Sequence, residues 1–227
     1  MASSTTDQQE ALQRLSDILD RLRNECPWDR EQTLKSLRYL SIEEVYELSE
    51  AIVAVGEHPD DARRYDDLKK ELGDILLHIY FYAKIAADGG HFSLTDVANA
   101  VCDKLVSRHP HIFAGGEQLP WERVKMREGR TSVLEGVPQS LPPLVKSVRM
   151  QEKAEGIGYG EPTLADQPLT TADTTNNIFA DEKTFGDALL RLLHEAHRHG
   201  INADDALTAA NHRYQQRVEE WERTHKR

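Results

Sequence analysis

The side chains best placed to do chemistry in this sequence are five acids in two short runs. Glu43, Glu44 and Glu47 form the first, and Glu71 and Asp74, three positions apart, form the second. On a helix turning about 100° per residue, Glu43, Glu47 and Glu44 fall at about 0°, 40° and 100° and Glu50 at about 340°, so all four share one face. Glu71, Asp74 and His78 share one narrow stripe of their own, and Asp74 runs straight into Ile75-Leu76-Leu77. A carboxylate held among apolar neighbours is costly unless it is paired or coordinated to a cation. Two such stripes facing each other across antiparallel helices would bring four or five carboxylates together, a cluster that repels itself unless hard divalent ions occupy it. Ligation by oxygen alone, with no Cys and few His in reach, favours Mg²⁺, with Mn²⁺ as a substitute, over Zn²⁺. Two plainer readings stand beside this one. The first run could be the solvated face of an amphipathic helix, and Lys69 and Lys70 could neutralise Glu71 in surface pairs. His78 reads as a packed histidine, or one that steadies a carboxylate, rather than as a ligand.

Helical periodicity supplies the elements that must position these acids. Leu12, Leu15, Ile18, Leu19 and Leu22 recur at three- and four-residue steps on a helix beginning near Asp7 and stopped at Cys26 by Pro27. Ser41 and Glu44 have capping-box spacing, which predicts a helix from Ile42 to about Gly56 with Ile42, Val45, Leu48 and Ile52 as its apolar stripe. The next helix, from about Asp61 to Asp88, is apolar nearly all round in its second half and is therefore expected in a bundle interior. Gly89-Gly90 end it, and Ser93 or Thr95 can cap a further helix running to His109-Pro110. Residues 114–143 read mostly as loop, with a short helix near Pro120 to Arg127. Residues 157–178, rich in Gly, Thr, Asp and Pro, read as a mobile linker. Helices at about 183–199 and 203–225 close the chain. Nowhere does a period-two alternation of strand length appear, so the fold class is all-α.

A repeat runs through these helices. Gly73-Asp74-Ile75-Leu76-Leu77 recurs 113 residues later as Gly186-Asp187-Ala188-Leu189-Leu190. Asp96, Ala100, Lys104 and Arg108 recur 109 residues later as Asp205, Ala209, Arg213 and Arg217. The second copy is worn: Thr184 stands where Glu71 would repeat, and Gly156, Ile157 and Gly160 stand where Glu43, Glu44 and Glu47 would. Asp187 alone cannot hold a metal cluster, so this copy is expected to be catalytically inactive. The expected organisation is a catalytic helical domain over residues 7–127, a connecting segment with a short helix and a mobile linker over 128–178, and a shortened, degenerate second unit over 179–227.

Composition narrows the function classes. The chain has 227 residues, 30 % of them charged, with 39 acidic and 28 basic side chains and a net charge of −11. That surplus argues against binding to nucleic acid backbones or anionic membranes. No apolar run approaches the roughly eighteen residues needed to span a bilayer, and the first residues lack the basic and apolar regions of a signal peptide. The expectation is a soluble, cytoplasmic protein. Cys26 and Cys102 have no metal-ligand spacing and are expected to be small buried hydrophobes.

Taken in order, Cys26-Pro27-Trp28-Asp29, Glu43-Glu44-x-x-Glu47, Glu71-x-x-Asp74 and Arg108-His109-Pro110-His111-Ile112-Phe113 resemble the MazG family of nucleoside triphosphate pyrophosphohydrolases. The 23 residues between Glu47 and Glu71 fit the spacing of that family's two acidic motifs. The resemblance implies a MazG-like helical bundle that cleaves (d)NTPs between the α and β phosphates, giving a monophosphate and pyrophosphate, in house-cleaning or regulation of nucleotide pools. It implies Glu44, Glu47, Glu71 and Asp74 as Mg²⁺ ligands and Glu43 as the group that orients or deprotonates water. It implies Lys104 and Arg108 as partners of the phosphate tail. Trp121 and Lys125 resemble a W-x-x-x-K element that stacks on the base and reaches a phosphate, though Trp121 could equally pack at a loop-helix junction. Trp28 is a substrate contact or an anchor of the first interhelical turn. The family also implies a homodimer or higher homo-oligomer. A dUTP- or dCTP-selective pyrophosphatase, and a non-catalytic helical interaction protein, are the alternatives.

Overall fold

A computed structural model describes residues 4–119, 121–126, 128–159 and 178–225, and among them there is helix and no strand. The contacts divide the chain into two units, one through Ser107 and the other from Arg108.

The first unit is built from five helices. α1 (Thr5–Glu25) starts at a reciprocal Ser4/Asp7 capping box and ends where Cys26 turns extended ahead of Pro27. α2 (Pro27–Glu31) takes Pro27 in its first turn, where a missing N–H costs nothing. α3 (Leu34–Glu57) begins a full two turns earlier than the Ser41/Glu44 spacing predicts. Thr33 and Ser36 cap each other there, and nothing in residues 34–40 breaks a helix. Ser41 instead lies inside α3, donating to the Leu37 carbonyl at 3.0 Å and sitting 2.6 Å from the Tyr82 hydroxyl. α4 (Ala62–Asp88) is capped by Asp61, and Gly90 at φ +71° reverses the chain after it. α5 (Leu94–Arg108) follows a Ser93/Asp96 hydrogen-bond exchange.

The core of this unit joins Leu19 of α1, Leu37 of α3 and Tyr80 and Phe81 of α4, with Leu15, Leu40, Leu76, Leu77 and Ile85 packed around it. The second half of α4 is the interior element that its composition predicts, although Ile79 stays 44 % exposed. Of the stripe expected to pack α3, only Leu48 is half-buried; Ile42, Val45 and Ile52 are 42 %, 54 % and 54 % exposed. α3 packs on α4 through Leu37, Leu40 and Ser41, with Glu44 half-buried further along the helix and Glu43 and Glu47 exposed. Arg23 ties α1, α2 and α4 together. Its guanidinium donates to the carbonyls of Asp29, Arg30 and Gln32, pairs with Asp88 at 3.2 Å and lies over the Phe81 ring.

The second unit holds α6 (Pro110–Phe113), α7 (Trp121–Met126), α8 (Pro143–Glu155), α9 (Glu182–Arg198) and α10 (Ala203–His225). α9 and α10 repeat the order of α4 and α5, and their starts fall within a residue or so of the predicted ones. α8, three turns long, is the helix of the connecting segment. The predicted mobile linker falls mostly on residues outside the described ones. Both cysteines are free thiols, but Cys26 is half-buried and Cys102 exposed, against the expectation of burial; α5 has no buried residue at all, so Cys102 has nothing to be buried against.

Candidate active site

The packing of α3 on α4 is what creates the site. Glu44 and Glu47 are one turn apart on α3, as are Glu71 and Asp74 on α4, and the antiparallel pairing sets the two turns opposite each other. Carboxylate oxygens of Glu44, Glu47 and Glu71 lie within 4.8 Å of one another. Asp74 stands outside that trio but close enough to repel both Glu44 and Glu71. Glu43, exposed at the rim, adds its charge to Glu44.

The electrostatics are those of an uncompensated cluster. Burial raises the Glu44 pKa above its ordinary value, and repulsion from Asp74, Glu47, Glu71 and Glu43 raises it further. Glu71 is raised by loss of solvent and by Glu47 and Asp74, against a small opposing pull from Lys70. The lysines that might have neutralised Glu71 are engaged elsewhere: Lys69 pairs with Asp66 at 2.6 Å and Lys70 with Asp67 at 2.9 Å. Among the described residues no salt bridge reaches Glu43, Glu44, Glu47, Glu71 or Asp74. Three converging oxygen donors without a protein cation suit a hard divalent ion. His78, one turn beyond Asp74, is half-buried with its pKa lowered by burial. Its ring meets Tyr82 edge-on at 6.4 Å, and its Nδ1 is buried without a partner. It belongs to the packing around the acids and not to the oxygen trio.

The other predicted site residues are distributed as follows. Trp28, at the start of α2, is 56 % exposed, and its carbonyl accepts from the Gln32 amide. Lys104 is exposed on α5. Arg108, Trp121 and Lys125 come together in the second unit. The Arg108 guanidinium lies 5.3 Å from the Trp121 ring centroid and makes a two-pronged pair with Glu128 at 2.6 and 2.7 Å, which raises its pKa. Lys125 Nζ is 5.7 Å from the same centroid, and the His109 ring is 5.6 Å away. Trp121 itself is 45 % exposed, so the indole is a partly open aromatic surface with two cations over its ring. Lys125 is buried and paired with Glu122.

Sequence reasoning passed over Glu122, Lys153 and Arg23. The i, i+3 spacing of Glu122 and Lys125 was a usable signal. Lys153 meets Glu122 from 31 residues away, and no local pattern announces that contact.

The comparisons with known proteins agree with the family that the motifs resemble. Residues 32–113 match the MazG nucleotide pyrophosphohydrolase domain, a span that contains all five acids. The chain is 32 % identical to the nucleoside triphosphate pyrophosphohydrolase of Escherichia coli K12, over 93 % of this chain and 87 % of that protein. It is 31 % identical to the nucleoside triphosphate pyrophosphohydrolase/pyrophosphatase MazG of Thermotoga maritima, over 92 % and 85 %. With the nucleoside triphosphate pyrophosphohydrolase of Mycolicibacterium smegmatis it shares 37 % identity over 62 % of this chain and 45 % of the other. Similarity that runs nearly end to end, over an all-helical fold whose paired acidic turns fall inside the matched span, places the chain in the MazG family of nucleotide pyrophosphohydrolases.

Proposed function

We propose that this protein is a Mg²⁺-dependent nucleoside triphosphate pyrophosphohydrolase that cleaves (d)NTPs between the α and β phosphates, releasing a monophosphate and pyrophosphate. The observation that carries the reading is the convergence of Glu44, Glu47 and Glu71 without a salt-bridged cation among the described residues, inside the span that matches the MazG domain. Glu44, Glu47, Glu71 and Asp74 would hold the metal. Bound there, divalent ions supply charge neutralisation for the phosphates and acidify water near neutral pH. Glu43, exposed beside Glu44, would accept a proton from an attacking water. Lys104 and Arg108 act on the phosphate tail, Trp121 offers a face for the base and Lys125 a charge for a phosphate. Trp28, open to solvent, is a further candidate contact with the base. Cytoplasmic nucleotide pools are the setting that such chemistry serves, and among the described residues no helix is long and apolar enough to cross a membrane.

Product analysis across natural and modified (d)NTPs tests the proposal. Pyrophosphate and monophosphate are expected with Mg²⁺, and neither with chelator. Glu47→Gln and Asp74→Asn are each expected to lower turnover by at least about 100-fold. Release of orthophosphate, or full activity in both variants, overturns the mechanism.

The protein is also proposed to work as a homodimer or higher homo-oligomer. Tyr39, Ile42, Val45, Tyr46 and Ile52 of α3 and Leu72 and Ile79 of α4 are exposed in the single chain, an apolar surface of the kind a second copy covers.

A further inference from the structure

Three charged side chains are buried beside Trp121. Glu122, Lys125 and Lys153 retain 9 %, 6 % and 6 % of their exposure. Glu122 and Lys125 come from α7, and Lys153 comes from the last turn of α8. One oxygen of Glu122 accepts from Lys125 Nζ, and the other accepts from Lys153 Nζ at 3.4 Å. Lys153 also donates to the Val133 carbonyl at 3.2 Å. Gly156 sits so close that a Cβ there would come within 3.0 Å of Glu122 Cγ, so the carboxylate is closely confined.

The charges do not balance. Two ammonium groups share one carboxylate, and among the described residues no second acid pairs with either lysine. A buried ion pair seldom stabilises more than well-packed apolar side chains of the same volume, and an unpaired buried charge is worse. Apolar side chains would therefore join α7 to α8 at lower cost. Burial lowers the Lys153 pKa, with Lys125 as the second cause; Glu122, which burial alone would raise, is held below its ordinary value by the two lysines. The cluster reaches the partly exposed indole through Lys125 Nζ, which lies over the ring 5.7 Å from its centroid. The other cation on that ring, Arg108, is already answered by Glu128.

We propose that Lys153 is a positioning residue for nucleotide binding: by sharing Glu122 with Lys125 it gives the three-residue cluster a surplus positive charge beside Trp121, where a phosphate of a stacked nucleotide binds. This rests on the reading of Trp121 and Lys125 as nucleotide contacts. It also gives α8 a task in the working enzyme, since the charge balance of α7 is set from outside α7.

Steady-state kinetics of the full-length protein with ATP and Mg²⁺ test the proposal, using Lys153→Met, the double variant Glu122→Gln/Lys153→Met, and Lys125→Met. Lys153→Met leaves a neutral Glu122–Lys125 pair, and KM is expected to rise by roughly tenfold, with kcat changed by less than about threefold. The double variant removes one charge of each sign and restores the surplus, so its KM is expected to return to within about threefold of wild type. A residue that merely packs α7 onto α8 would show no such rescue. A KM unchanged in Lys153→Met, or raised equally in single and double variants, overturns the proposal. Should Lys153→Met fail to fold by circular dichroism, the double variant decides alone: a near-normal KM supports the proposal and a raised one overturns it. Wild-type protein that makes no pyrophosphate rejects the enzymatic reading itself. A Lys125→Met variant with normal KM rejects Lys125 as a nucleotide contact, and the role of Lys153 with it.

Discussion

Glu44 and Glu71 hold their protons more tightly in the folded chain than in the unfolded one, because burial and like-charged neighbours both oppose ionisation. The sign of the consequence follows from linkage. A carboxylate with a raised folded pKa favours the native state at low pH, and that contribution fades as pH climbs from the ordinary value of 4.5 through the raised one. At the proposed metal site Mg²⁺ would compete with those protons. The rise in Tm on adding Mg²⁺ is therefore expected to be small near pH ~5 and larger near pH ~8, as read by thermal unfolding across that range. Glu47→Gln separates function from stability at the same site. Removing one of the repelling charges is expected to raise the Tm of the metal-free protein while erasing most of the Mg²⁺-dependent shift. A Glu47→Gln protein that is less stable without metal and still responds fully to Mg²⁺ contradicts this account.

The site exists because two long helices hold their acidic turns opposite one another, so the elements to perturb are α3 and its seating on α4. Leu37, 1 % exposed, fills the core between α1 and α4. Leu37→Ala is expected to cost about 2–5 kcal/mol. Thr33→Ala, which removes the α3 cap, is expected to cost about 1 kcal/mol. Urea unfolding of both variants checks the order, and a cap variant that destabilises more than the core variant contradicts it. At this scale the sequence was legible wherever a chain-breaking residue stood: Pro27, Asp61 and Gly89-Gly90 mark real boundaries. The start of α3 is not legible in this way, because Ser41/Glu44 and Thr33/Ser36 both have capping-box spacing, and the choice between them depends on Leu37 and Leu40 reaching the core.

For the molecule as a whole, the worn repeat and the uncovered apolar faces make separate predictions. In α9, Asp187 pairs with Lys183 at 2.6 Å, and Thr184 bonds the helix cap through its backbone N–H, so the copy of the acidic motif is spent on local structure. Asp187→Asn is accordingly expected to leave pyrophosphate release within about twofold of wild type. If homo-oligomerisation covers the outer face of α3, light scattering at micromolar concentration should give a multiple of the chain mass. Ile52→Asp, at a position 54 % exposed in the single chain, should then lower that mass without unfolding the protein. A wild-type chain that stays monomeric leaves that apolar surface unexplained and rejects the oligomer.

The sequence by itself determined the all-α class, most helix boundaries, the family and the identity of the five acids, because helix periodicity, capping and motif spacing are all local along the chain. Whether the acids were a solvated face or a convergent cluster was not local. The energy of a carboxylate depends on how many others lie within a few ångströms and on where the nearest lysines have gone. Tertiary structure decided that: the packing of α3 on α4 brought Glu44 and Glu47 up to Glu71 and left most of the α3 apolar stripe exposed, while Lys69 and Lys70 paired with Asp66 and Asp67. It also decided that Lys125 is buried and shares its partner with Lys153, a contact set by the packing of α8.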